Sequence, residues 1–278
     1  MNVALHNGLP GPGRVLIWFN DPLNWWGPGG LLADAREHIV YTLMVVTLAA
    51  VFALPAGLVI GHTGRGTLLV AGIANALRAV PALGLLILLV VLLSPHIHVQ
   101  GGLPGVLAPG SVPYFVPSAL VLFSISVPQI LTSTYAGVQA LDPAVRDAAQ
   151  GCGMTPVQVV LKVELPAAAP LIISGIRSAT LQVIATVTVA AYAPLVGGLG
   201  RLIVDGQQDL ADPRYGYPAM LAAGISVAVL AIATDALLAL AQRKAISPGL
   251  ASTRTHRTTQ PRPHNVPGRI PATSKELA

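Results

Sequence analysis

One uncharged apolar run decides what kind of protein this chain can become. Residues 39–60 contain no charged side chain, and about 20 apolar residues span the hydrocarbon core of a bilayer as a helix. Lipid offers no hydrogen-bond partner to the backbone, so a segment that crosses it must be helical. The whole chain is only 10% charged, against about 25% in typical soluble domains. We therefore expect an integral membrane protein.

Four more apolar stretches follow, and together they predict an all-α membrane protein with about five transmembrane helices, six being the alternative count. The second stretch contains Arg78 and Pro81. One interpretation is a single long helix kinked near Pro81, and the other is a short membrane-entering helix followed by a break. The five predicted spans are residues 39–60, 67–93, 114–138, 167–193 and 216–241.

The distribution of Lys and Arg over the connecting segments predicts the orientation. Residues 94–113 contain neither, whereas residues 141–166 contain Arg146 and Lys162, and the chain from residue 243 onward is basic. Cytoplasmic segments of membrane proteins carry the excess of Lys and Arg. The N-terminus is therefore expected outside and the C-terminus in the cytoplasm. We assign the net charge of +5 to contact with anionic lipid headgroups and expect no nucleic-acid partner.

These predictions divide the chain into three parts. Residues 1–38 form an extracytoplasmic N-terminal segment, residues 39–242 a transmembrane domain, and residues 243–278 a cytoplasmic tail. The tail is rich in Pro, Arg, Thr and His and poor in apolar residues, which predicts disorder. Tryptophan favours the interface between membrane and water, so we expect an outer aromatic belt made of Trp18, Trp25 and Trp26.

The polar interruption at residues 141–166 is too long for a minimal turn, and it opens with a helix start signal. Asp142 can cap a helix that begins at Pro143, because Asp accepts hydrogen bonds from free N–H groups and Pro suits the first helical position. Gly151 and Gly153 mark the end of this first helix.

A second helix start follows directly. Thr155 is placed to cap it and Gln158 to complete a capping box, and this helix is expected to end before Pro166. Because the interruption contains Arg146 and Lys162 and lies between two predicted spans, we predict a cytoplasmic hairpin of two short helices at about residues 142–164.

Within this hairpin the sequence resembles the EAA signature of binding-protein-dependent ABC importer permeases. That pattern reads E-A-A, three residues, G, nine residues, then I-x-L-P. The spacing is intact here, with two mild substitutions: Asp147 replaces the glutamate and Val163 replaces the isoleucine. The residues that carry the signature are Asp147, Ala148, Ala149, Gly153, Val163, Leu165 and Pro166.

The resemblance implies a type I ABC importer permease fold in a multi-pass protein of the bacterial cell membrane. It implies that the hairpin couples to a separate ATPase subunit that binds ATP and Mg, which makes this chain a transport subunit and not an enzyme. The other implied partners are a second permease subunit, either the same or a sister chain, an extracytoplasmic substrate-binding protein and the lipid bilayer. No lysine closes a phosphate-binding G-x-x-x-x-G-K-[ST] loop, and we expect no cofactor, metal or catalytic residue on this chain.

Three further segments are similar to importers of the osmoprotectants glycine betaine, carnitine, choline and proline betaine. They are residues 76–83, 174–179 and 197–200, and the likeness covers roughly residues 39–242. Because the chain is only 5% aromatic, the aromatic cage that holds a quaternary ammonium is expected on the separate binding protein. The alternatives are a permease for another small solute such as methionine, or a secondary transporter not driven by ATP.

Three charged residues fall inside the predicted spans: Arg78, Arg177 and Asp235. A charge at mid-membrane costs about 2.5–3.5 kcal/mol, so each is expected to face protein or water. Arg177 and Asp235 lie at similar depth, and they either pair or extend separately toward the interface. Arg78 either lines the transport pathway or braces the break near Pro81.

Overall fold

The computed structural model describes residues 12–99, 101–102, 107–212 and 215–245. Of the tail predicted for residues 243–278, the first three residues continue the last helix, which ends at Ala245, and the remainder lies outside the described residues. Those residues contain ten α-helices and no β-strand, which confirms the all-α prediction. The helices are α1 (Pro12–Asn20), α2 (Leu31–Thr63), α3 (Thr67–Ala79), α4 (Ala82–Leu93), α5 (Val112–Gln139), α6 (Pro143–Gly151), α7 (Pro156–Val159), α8 (Leu165–Ala190), α9 (Leu199–Gln208) and α10 (Gly216–Ala245).

Four long helical stretches have the length and apolar character of membrane spans. They are α2, α5, most of α10 and a continuous stretch, Pro156–Ala190, that contains α7 and α8. The shorter helices α3 and α4 pass the same test only as a pair, and the pair is bent by 88°. The four long stretches and the bent pair account for the five predicted apolar segments.

The second apolar segment is broken rather than kinked. α3 ends at Ala79, and the next two residues are extended, Val80 with ψ 127° and Pro81 with ψ 118°. Proline disfavours a helical conformation in the residue before it and cannot donate a backbone hydrogen bond. The prediction of one kinked helix is therefore wrong, and the alternative of a short helix followed by a break describes the structure.

Contacts at one end of the bundle show that the bent pair carries the chain from one face of the bundle to the other. His62, in the last turn of α2, lies 3.0 Å from Glu164. Val138, at the end of α5, accepts a hydrogen bond from Arg146, and Arg146 also contacts Glu164. Helices α2 and α5 thus end at the same face. The chain between them must return to the opposite face, and α3 and α4 make that crossing.

The first span begins earlier than its hydropathy predicts. α2 starts at Leu31 rather than at residue 39, so the expected boundary between the N-terminal segment and the transmembrane domain falls inside a helix. The added turns contain Asp34, Glu37 and His38, which hydropathy places outside a span. His38 is fully buried, with Nε2 2.9 Å from the carbonyl oxygen of Ile184. Packing against protein rather than lipid allows the helix to extend through this polar turn.

The N-terminal residues pack on the bundle instead of forming a simple aromatic belt. Trp18 on α1 is 3% exposed and packs with Leu31 and Leu199, so the belt prediction is wrong for this residue. Trp25 is half-buried and Trp26 is exposed. The side chain of Trp18 therefore packs α1 against the first residues of α2 and α9.

Helices α2, α5 and α8 form the packed centre of the bundle. Near the face opposite the hairpin, the rings of Tyr41 and Phe115 lie 4.9 Å apart. Closer to the hairpin, Ala49 and Ala179 pack around Ile130, which is fully buried. Small side chains allow membrane helices to approach closely, so α2, α5 and α8 pack tightly at this centre.

Candidate coupling hairpin and membrane cleft

Both helix starts of the hairpin carry the caps that the sequence predicts. Asp142 Oδ1 accepts a hydrogen bond from Ala144 N at 2.9 Å, at the start of α6. Thr155 N donates to Gln158 Oε1, also at 2.9 Å, at the start of α7. An N-cap side chain typically contributes about 1 kcal/mol to helix stability. The two short helices are therefore specified locally, and this part of the prediction is confirmed.

The turn between α6 and α7 is built on Gly153. α6 ends at Gly151, and Gly153 adopts φ +81°, in the left-handed region. Gly153 N donates to Gln150 O at 2.9 Å, and Met154 N donates to Ala149 O at 3.2 Å. This pair of bonds is the Schellman ending of a helix, which favours glycine at the left-handed position. The glycine of the signature thus sets the angle of the hairpin.

The second helix of the hairpin does not end before Pro166. α7 continues through a π-helical segment, Val160–Glu164, directly into α8, and Leu165 N donates to Val160 O, five residues back. A proline lacks the backbone N–H and crowds the carbonyl four residues earlier, and the wider π-turn accommodates both effects. The predicted helix end is wrong, and the hairpin is joined to a membrane span without a break.

The signature residues divide between the surface and the interior of the hairpin. Four signature residues are exposed: Asp147, Ala148, Gly153 and Pro166. Val163 and Leu165 are half-buried, and Ala149 is buried. Three apolar side chains on the hairpin are also exposed: Val145 at 43%, Val157 at 66% and Leu161 at 55%. An exposed apolar surface of this kind is typical of a contact with another protein.

A fully buried acid, Glu164, joins the hairpin to two spans. Its Oε1 lies 2.6 Å from Arg146 Nε and 3.0 Å from His62 Nδ1, and the side chain is 0% exposed. The Nη2 atom of Arg146 also donates to the carbonyl oxygen of Val138 at 2.5 Å. A buried carboxylate needs such partners because its desolvation costs several kcal/mol. The network ties α6 and the π-helical segment to the ends of α2 and α5.

In the sequence analysis, Arg146 served only as one of the Lys and Arg residues that place this segment in the cytoplasm, and Glu164 had no role. A signal was available, because Glu164 is the only acid between Asp147 and Asp205. It also stands at the start of an apolar stretch, where an ionised side chain needs a protein or water partner. The identity of that partner depends on the fold, which brings His62 to Glu164 across 102 residues.

Arg177 of α8 and Asp235 of α10 form a bidentate ion pair. Arg177 Nε lies 2.5 Å from Asp235 Oδ1, and Nη2 lies 2.6 Å from Oδ2. Of the two alternatives left open by the sequence, pairing rather than separate extension describes the structure. Two parallel hydrogen bonds fix the relative orientation of the groups as well as their distance, so the pair defines how α10 meets α8.

Arg78 lies at the break between α3 and α4 and lines a cleft of about 330 Å³. Its Nη2 donates to Gln129 Oε1 on α5 at 2.7 Å. Gln182 of α8 lines the same cleft. Arg78 therefore links the end of α3 to α5, in agreement with the bracing alternative, and it also faces the cleft. A place on the transport pathway stays a prediction.

The described residues bring together no group of three His, Cys, Asp or Glu side chains that could hold a metal ion. His96 Nδ1 lies 2.9 Å from the carbonyl oxygen of Leu92, and His98 Nδ1 lies 3.0 Å from that of His96. These rings therefore serve local backbone contacts. The cysteine, Cys152, is exposed on the hairpin.

The same fold occurs in solved ABC importers. A structure described as inward-facing conformations of the MetNI methionine ABC transporter gives a TM-score of 0.62 at 19% identity, covering 78% of this chain and 96% of that one. A crystal structure of an amino acid ABC transporter with histidines gives 0.56 at 20% identity, covering 77% and 93%. At these identities the likeness establishes the fold, which is that of a type I ABC importer permease.

Sequence comparison establishes the family. Residues 53–247 match the binding-protein-dependent transport system inner membrane component family. The chain is 34% identical to the choline transport system permease protein OpuBB of Bacillus subtilis, covering 80% of this chain and 91% of the relative. It is 31% identical to the glycine betaine/carnitine/choline permease OpuCB of the same organism, with the same coverage. It is 32% identical to the osmoprotectant import permease OsmW of Salmonella typhimurium, covering 76% and 89%.

The chain therefore belongs to the binding-protein-dependent transport family and is an inner-membrane permease subunit of an ABC importer.

Proposed function

We propose that this permease imports quaternary-ammonium osmoprotectants, the class that includes glycine betaine, carnitine, choline and proline betaine. The observation that carries the proposal is the similarity to OpuBB, OpuCB and OsmW, whose names specify choline, glycine betaine, carnitine or osmoprotectant transport. That similarity extends over 76% to 80% of this chain. A separate extracytoplasmic binding protein delivers the substrate.

The energy for transport comes from ATP hydrolysis by a separate ATPase subunit, which binds ATP and Mg and docks on the hairpin. The exposed Asp147 and Ala148 and the neighbouring apolar Val157 and Leu161 support this assignment. Small side chains allow a partner to approach closely, while the apolar ones gain free energy on burial. The buried network at Glu164 then carries a displacement of the hairpin to α2 and α5.

The hairpin faces the cytoplasm in this proposal, and the N-terminus lies outside. Arg146 and Lys162 on the hairpin support the orientation, as does the absence of Lys and Arg from residues 94–113. With α2 and α5 both ending at the hairpin face, the bent pair of α3 and α4 gives an odd number of crossings and opposite sides for the two termini.

A second permease subunit, either another copy or a sister chain, completes the pathway. Large apolar side chains on the bent pair and on α10 remain uncovered, such as Leu68 at 88% and Ile232 at 70% exposed. Lipid and a second subunit together are suited to cover such surfaces. The fold likeness to a methionine transporter does not favour methionine as the substrate, because it rests on 19% identity.

The test is transport by the reconstituted complex. The permease is assembled in proteoliposomes with its ATPase and binding-protein partners, and uptake of radiolabelled glycine betaine, carnitine, choline and methionine is measured with and without ATP. We expect ATP-dependent accumulation of at least one quaternary-ammonium compound and none of methionine. Accumulation driven by a proton or sodium gradient without ATP, or accumulation of methionine alone, contradicts the proposal.

A further inference from the structure

The break between α3 and α4 opens a cleft at mid-length of the bundle. Arg78 enters it from the end of α3, beside Gln129 of α5 and Gln182 of α8. The two glutamines lie in the middle portions of their helices, so the cleft lies between the two ends of the bundle. Its volume of about 330 Å³ is at the lower end of small-molecule pockets, which measure about 300–1,000 Å³.

The cleft carries a positive charge that no neighbouring acid offsets. Arg78 donates through Nη2 to the neutral amide oxygen of Gln129, and no ion pair in the described part of the chain includes it. None of the described residues that line the cleft is acidic. A guanidinium has five N–H donors, so Arg78 retains donors for an anionic ligand.

The remaining lining is apolar and without aromatic rings: it consists of Leu77, Val80, Ala82 and Ile125. A quaternary ammonium gains its binding energy from aromatic faces, and this wall offers none. A carboxylate, in contrast, binds a guanidinium through two parallel charge-assisted hydrogen bonds. The chemistry of the cleft therefore favours the acidic end of a small zwitterion over its ammonium end.

We propose that the Arg78 cleft is a substrate-binding site on the transport path, one that accepts the carboxylate of small zwitterions and disfavours cations that lack one. This inference rests on the osmoprotectant function proposed above and narrows its substrate class. Glycine betaine, carnitine and proline betaine each carry a carboxylate, whereas choline carries only the positive charge. Recognition is divided, with the binding protein holding the ammonium end and the permease selecting for the carboxylate.

Uptake by the complete complex tests this division. The permease, its ATPase and its binding protein are reconstituted, and uptake of glycine betaine and choline is compared at matched occupancy of the binding protein. The wild type is expected to import glycine betaine at least about tenfold faster than choline, the range expected for a hydrogen bond to a charged group. Arg78→Gln should slow glycine betaine about tenfold without slowing choline. Arg78→Glu should reverse the preference.

Two further variants keep the result interpretable. Arg78→Lys preserves the charge but not the planar fork, so it should give intermediate glycine betaine uptake even if Arg78→Gln assembles poorly. Arg65→Gln removes an exposed arginine from the neighbouring turn between α2 and α3 and should leave both rates unchanged. Assembly is checked by gel filtration, and ATP hydrolysis stimulated by the loaded binding protein is measured for every variant.

The outcomes separate the two proposals. If the wild type imports choline as fast as glycine betaine, or if Arg78→Gln slows both substrates equally, the cleft proposal is overturned and osmoprotectant import stands. If the wild-type complex accumulates no quaternary-ammonium compound with ATP, both the proposed function and the cleft assignment are overturned.

Discussion

Arg146 and Glu164 meet across the hairpin, with Arg146 Nε 2.6 Å from Glu164 Oε1 although 18 residues separate them along the chain. The carboxylate is fully buried, and His62 at the end of α2 provides its other contact. One acid therefore connects the hairpin to the first span. Its removal should affect both the stability of the bundle and the transmission of movement.

Replacing Glu164 with Ala should destabilise the permease by about 3 kcal/mol, since removal of one partner of a buried ion pair leaves the other charge uncompensated. Glu164→Gln should cost less because it keeps a hydrogen-bond acceptor for Arg146. Thermal unfolding of the purified complex measures both effects. The control is Asp209→Asn, which changes an exposed acid. A melting temperature for Glu164→Ala equal to that of the control argues against the buried network.

Reversing one charge of the Arg177–Asp235 pair should reduce the amount of folded permease in the membrane, because two like charges then face each other between α8 and α10. The double variant Arg177→Asp with Asp235→Arg should recover much of the loss, since the pair is restored with opposite polarity. Yields of monodisperse protein in detergent provide the measurement. A double variant no better than the worse single variant would show that the two residues act independently.

Replacing Gly153 with Ala should destabilise the hairpin by about 1–2 kcal/mol, the typical cost of a left-handed conformation for a residue with a side chain. The effect is one of backbone conformation alone, because a Cβ at this position meets nothing within 4 Å. Gly151→Ala is a matched control with equal space and no left-handed φ. Hydrogen exchange of residues in α6 should accelerate in the first variant only.

Cys152 provides a direct measurement of orientation, since it is the only cysteine in the chain and is exposed on the hairpin. A membrane-impermeant maleimide should label it in inside-out vesicles and not in intact cells. Binding of the ATPase subunit should slow the reaction, because the proposed docking surface surrounds this residue. Labelling of intact cells would place the hairpin outside and remove the basis for coupling.

Much of this architecture could be predicted from local patterns. The apolar runs located all five membrane segments, and the caps at Asp142 and Thr155 located the hairpin, because these features depend on neighbouring residues. The similar depth of Arg177 and Asp235 in their spans made a pair one of two alternatives, and the structure contains that pair. Each of these signals concerns a local sequence or a simple position along a span.

Most of the features that could not be predicted depend on contacts between segments that are distant in the sequence. The polar turn at Glu37 and His38 belongs to a helix only because residues near α9 pack against it. The role of Glu164 requires His62, which lies far away in the sequence. The continuation of α7 past Pro166 requires a π-turn that no propensity indicates. Tertiary packing overrides hydropathy at the first place and provides the distant partner at the second, whereas a local change of helix geometry accommodates the proline at the third.

The unbroken stretch Pro156–Ala190 has a mechanical consequence. Its 35 residues make a rod about 50 Å long at the usual rise of about 1.5 Å per residue. If the stretch moves as one body, a tilt of about 5° at one end moves the other by about 4 Å on that length. Under the coupling proposed above, a small tilt at the hairpin would therefore become a larger displacement at the opposite end of α8.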